Sequence, residues 1–75
     1  MLSVDLEQDD KKIAHSVTLL CAKYGPVVSL KVHRKPSPFV LVEMGSHMEA
    51  MELAAQIGGS TFGTCVLVHL EQVMQ

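Results

Sequence analysis

Tryptophan is absent from this 75-residue chain, and aromatic side chains amount to one tyrosine and two phenylalanines. A core of ordinary size must therefore be built from Val, Leu, Ile, Ala and Met. Cysteine is equally sparse. Cys21 and Cys65 lie in apolar surroundings without Cys-x-x-Cys spacing. That excludes a disulfide framework and reads as reduced thiols in an intracellular compartment, with nucleus and cytoplasm not distinguished. No apolar run approaches the roughly 20 residues that span a bilayer, so no membrane partner is expected. Asp5, Glu7, Asp9 and Asp10 follow Met1 closely, which is not the basic-then-apolar pattern of a secretory leader. There is also no broad excess of positive charge. The formal net charge is −2, whereas a free-standing nucleic-acid binder usually carries a basic footprint. A chain this short makes one small domain, burying roughly 60% of its unfolded surface.

What is present is a regular succession of patterns. Leu2-Ser3-Val4-Asp5-Leu6 alternates apolar and polar as a half-buried strand does. Asp9 or Asp10 can cap a helix with apolar positions at Ile13, Val17, Leu20, Cys21 and Tyr24, closed by Gly25 and Pro26. Val27 to Val32 reads as a second strand, with Leu30 and Val32 on one face and Ser29, Lys31 and His33 on the other. Pro36 and Pro38 mark a corner. Phe39 to Met44 reads as a third strand, with Val40 and Val42 on one face and Phe39, Leu41 and Glu43 on the other. Ser46 with Glu49 three positions later has capping-box spacing. Ala50, Leu53, Ala54 and Ile57 then form a buried helical stripe that ends at Gly58-Gly59. Ser60 to Gly63 reads as a turn, and Cys65 to Leu70 as a fourth strand with Val66, Val68 and Leu70 inward. Residues 71–75 read as a tail or linker.

Two local features carry alternatives. Gly45-Ser46-His47-Met48 coincides with the residues that protease cleavage leaves in expression vectors. Because helical periodicity begins on cue behind it, it reads as native, with an engineered junction as the alternative. Met44, Met48 and Met51 read as core fillers rather than an interaction groove.

The order strand, helix, strand, strand, helix, strand defines an α+β fold, a ferredoxin-like βαββαβ sandwich. Over nearly the whole chain it resembles the RNA recognition motif. Tyr24-Gly25-Pro26-Val27 is similar to that family's link from first helix to second strand. Ala50 to Gly59 is similar to its second helix, and Gly63 with Val66 and Val68 to its approach to the last strand. Lys35 to Val42 aligns with its strand-three octapeptide, matching at Lys35, Phe39 and Val40. The chain departs at Ser37, where the family has its first stacking ring, and at Ser3 or Val4 on the first strand. Cys21 fills the place of a helix aromatic.

The resemblance implies a four-stranded antiparallel sheet of order 4-1-3-2 with two helices on one face, the other face binding single-stranded RNA. Phe39 takes a ring-stacking position, with His33, His69 and Leu41 around it and the basic cluster Lys31, Arg34 and Lys35 beside it. The competing reading is an atypical member that uses the same face to dimerise or to bind a protein. Phe39, Leu41 and Leu67 supply an apolar sheet centre for it. A ferredoxin-like ligand-sensing module is a third reading, which the Tyr-Gly-Pro-Val link and the Phe-Val remnant disfavour.

Catalysis finds no foothold. His15, His33, His47 and His69 have no metal-like spacing to a cysteine or carboxylate. Asp9-Asp10 and Glu49/Glu52 read as helix-start charges and a solvated face, and Gly58-Gly59 closes a helix instead of opening one around a phosphate. No enzymatic activity, metal or cofactor is expected.

Overall fold

The computed structural model describes residues 1–74, and Gln75, the end of the expected tail, lies outside the described residues. Strand β1 (Leu2–Val4) leads to helix α1 (Asp10–Cys21), followed by a 3₁₀ turn (Ala22–Tyr24). Strands β2 (Val27–His33) and β3 (Phe39–Met44) come next, then helix α2 (His47–Ile57) and strands β4 (Ser60–Phe62) and β5 (Cys65–Gln72). The fold is α+β, as the patterning implied.

The helices begin where local chemistry dictates. The Asp9 carboxylate accepts from Lys12 N at 2.9 Å, satisfying a backbone donor that α1 leaves without an intrahelical partner. The Ser46 hydroxyl accepts from Glu49 N and donates to the Glu49 carboxylate. α2 ends on Gly58 in the left-handed region (φ 76°, ψ 37°). α1 ends earlier than expected. Its C-cap is Ala22, and three residues of 3₁₀ turn intervene before Gly25, whose φ is 147°.

The sheet differs from the expected one in strand number, order and direction. Among the described residues it has five strands rather than four and is mixed rather than wholly antiparallel. The order is β1-β5-β3-β2, with β4 paired to β5, in place of 4-1-3-2. β5 occupies the place beside β3 that the expected order gave to β1, and β1 runs parallel to β5 at the edge. Strand length accounts for the exchange. Phe39 through Glu43 on β3 each pair with a residue of β5, whereas the three residues of β1 would leave much of that edge without partners. β5 has room for both neighbours, because β4 pairs with Cys65–Leu67 and β1 with Leu70–Gln72.

One sheet face holds the core. Val40, Val42 and Met44 of β3 and Val66, Val68 and Leu70 of β5 pack with Ile13, Val17 and Cys21 of α1 and Ala50, Leu53 and Ala54 of α2. Val4, Leu20, Leu30, Val32 and Ile57, on the apolar phase of their periods, are only half-buried. Met44 is buried as expected, but Met48 and Met51 are 80% and 53% exposed and fill no core. They precede and interrupt the Ala50, Leu53, Ala54, Ile57 stripe, so the helix turns them outward. Glu71 and Gln72 are strand, not tail. Ser3 Oγ donates to the Glu71 carboxylate at 3.0 Å, and Leu6 N donates to the Gln72 side chain at 2.8 Å. No helix among the described residues is long and apolar enough to cross a membrane.

Candidate functional site

Alternation along the strands leaves the second sheet face without a helix over it, and the pairing registers arrange its side chains in rows. The first row crosses the sheet as His33, Phe39 and His69. Lys31, Leu41, Leu67 and Ser60 form the next. Ser29, Glu43, Cys65 and Phe62 form the third.

The first row is a small aromatic array. The His33 imidazole lies nearly parallel to the Phe39 ring, with centroids 4.7 Å apart and planes 12° from parallel. His69 meets Phe39 edge-on at 6.4 Å and 66°. Such pairs hold rings in place at about 0.5–1.5 kcal/mol each beyond burial. Phe39 is half-buried, while His33 and His69 are exposed.

Of the residues that the resemblance implicated, Lys31, His33, Phe39, Leu41 and His69 come together on this face. Lys35 lies exposed just past the end of β2. Arg34 is engaged elsewhere. Its Nε and Nη2 both approach Asp10 Oδ1 at 2.9 Å, Nη1 donates to the Leu6 carbonyl at 2.6 Å, and Nη2 donates to the Gln8 carbonyl at 2.8 Å. It ties the end of β2 to the segment between β1 and α1, and its donors are taken up there. Among the described residues this is the only ion pair, so Lys31 and Lys35 carry free charge.

Phe62 belongs to the same face and was not recognised from the sequence. It stands opposite Cys65 and is 61% exposed. The signal was the Phe62-Gly63-Thr64-Cys65 run, whose glycine-led two-residue loop can join a tight hairpin. Three residues of β4 are too few for alternation to declare a strand.

A shallow cleft of about 150 Å³ opens on this face among Ser29, Lys31, Leu41, Glu43 and Cys65. A second, of about 170 Å³, lies between β1 and α1 and is mostly apolar, lined by Leu2, Ser3, Val4, Ser16, Val17 and Leu20. Among the described residues no three His, Cys, Asp or Glu side chains gather as a metal would require. Burial pushes the Cys21 thiol above its ordinary pKa. That follows from its place in the core, away from the open face. No protein-family model matches this chain, and no match was found among curated proteins or among solved structures.

Proposed function

We propose that the open sheet face binds single-stranded RNA, as the resemblance to RNA recognition motifs implies. The observation that carries this reading is the His33–Phe39–His69 row: an aromatic array on a sheet face that no helix covers. Rings on such a surface offer platforms for bases, each stack being worth about 1–3 kcal/mol. Lys31 on the face and Lys35 at its margin supply charge for phosphates. Phe62 adds an exposed ring at the far side of the same face.

A second reading has its own support. Leu41 and Leu67 sit side by side in the middle of the face, and Phe62 exposes most of its ring. An apolar centre of this kind also suits burial against a second copy of the chain or another protein.

Titration of the pure domain with short mixed-sequence RNAs at low salt, with residue-level NMR shifts, separates the two. RNA binding should shift Lys31, His33, Phe39, Leu41 and His69. Phe39→Ala should weaken binding by about 1–3 kcal/mol and leave the fold intact, because the ring lies on the face opposite the core. Unchanged affinity in a folded variant removes the stacking role. No RNA binding, combined with a concentration-dependent dimer in sedimentation, replaces the RNA reading with the protein one.

A further inference from the structure

We infer that the cleft on the open face selects guanine, with Glu43 as the residue that reads it; the inference rests on the RNA-binding reading above. Glu43 lies on the same strand and face as Phe39, four residues along, or roughly 13 Å at strand rise. A strand of RNA stacked on Phe39 therefore brings a base one or two nucleotides away over Glu43, Leu41 and Lys31.

The carboxylate there is oriented and incompletely used. Ser29 Oγ donates to Glu43 Oε1 at 3.2 Å, while no donor among the described residues reaches Oε2. Lys31 stands diagonal to Glu43 across β2 and β3 and forms no ion pair with it. The half-buried Glu43 and the exposed Lys31 thus present an acceptor-only group and a donor-only group on two sides of one small cleft.

Single-stranded bases expose their Watson–Crick edges to such groups. Guanine offers two adjacent donors, N1–H and the N2 amine, beside the O6 acceptor. Its donors can meet the carboxylate while O6 meets the Lys31 ammonium. Adenine and cytosine place a ring-nitrogen lone pair next to their one amine, which sets an acceptor against an acceptor. Uracil has a single N–H between two carbonyls. The same carboxylate repels phosphate, so the backbone keeps clear of Glu43, with Lys35 at the margin of the face to meet it, and the base edge turns toward the cleft.

The test uses uridine heptamers with a single central guanosine, adenosine, cytidine or inosine, measured by fluorescence anisotropy at low salt. The central guanosine should tighten binding by about fivefold to a hundredfold over the other standard bases, the discrimination of one good bidentate contact. Inosine, which lacks the N2 amine, should fall between. Glu43→Gln should abolish the preference, with the fold checked by circular dichroism and by retained binding of plain uridine heptamer. Equal binding of the guanosine, adenosine, cytidine and plain uridine heptamers overturns guanine selection and leaves RNA binding standing. A preference that survives Glu43→Gln overturns the role of Glu43. Failure of a folded domain to bind any heptamer removes both readings.

Discussion

Cys21 lies fully enclosed among core residues, whereas Cys65 stands half-exposed on the open sheet face. Thiol reactivity follows thiolate fraction and access, so alkylation of the native protein near pH 7.5 should modify Cys65 first. Cys21 should react only at the rate at which the chain opens, which peptide mapping can resolve. Desolvation raises the Cys21 pKa in the folded state. The unfolded chain therefore gives up that proton first as pH rises. The stability this thiol contributes is present in full below about pH 8.5 and is lost as pH climbs through the higher folded value. Urea midpoints of the wild type should fall more steeply from pH 8 to 10 than those of Cys21→Ala, and parallel curves would refute this. Patterning placed Cys21 on the buried phase of its helix correctly. For Arg34 it had only the charge to go on: an arginine beside two lysines looks the same whether its donors meet phosphate or the carbonyls of Leu6 and Gln8.

Two neighbouring glycines follow α2 for different reasons, and replacing each tests a different constraint. Gly58 holds the left-handed conformation that stops the helix, its N–H donating to the Ala54 carbonyl at 2.8 Å. Gly58→Ala should cost about 1–2 kcal/mol, the price of that backbone region for an L side chain. At Gly59 the obstacle is proximity. A Cβ there would come within 2.7 Å of Val66 Cγ1, 2.8 Å of Val68 Cγ2 and 2.9 Å of the Leu67 carbonyl oxygen. Gly59→Ala must push α2 off β5 and should be destabilising by about 1–3 kcal/mol, with near-UV circular dichroism also changed. Equal and small losses in urea unfolding for both would contradict the close approach. The glycine pair itself was legible as a helix end, and β3 and the α2 stripe were legible from their periods. The position of β1 was not. Alternation states which face of a strand is apolar, but not which strand lies beside it or in which direction.

Across the whole molecule the formal charge is −2, so affinity for a polyanion depends on a few local cations. With Arg34 held by Asp10, Leu6 and Gln8, Lys31 and Lys35 are what remains of the cluster beside the open face. On the proposed RNA-binding reading, at roughly 0.7 per phosphate on a single strand, the log–log salt slope should be about −1.4. Lys31→Gln and Lys35→Gln should each flatten it by about 0.7, while Arg34→Gln should lower thermal stability and leave the slope alone. A slope near −2 that Arg34→Gln reduces would mean that the arginine leaves its clamp to meet RNA. The open face itself was legible in part. Phe39, Leu41 and His69 fall on one phase of strong strands, but Phe62 joined them only through a hairpin whose first strand is three residues long.

The pairing of β1 with the far end of β5 has a consequence in time. Ser3 and Glu71 meet across 68 positions of sequence, whereas β2–β3 and β4–β5 pair through short connections. Contacts between distant positions cost loop-closure entropy before they return anything, so local pairings lead. The edge position of β1 means that β3, β5 and both helices can assemble without it. Val4→Ala should then leave the refolding rate nearly unchanged and speed unfolding, since a contact absent from the transition state acts on escape alone. Slower refolding in stopped-flow experiments would place β1 in the nucleus instead. A strand that docks last is also the first to lift, and its departure bares the edge of β5 from Leu70 to Gln72 while the aromatic row on the open face stays in place.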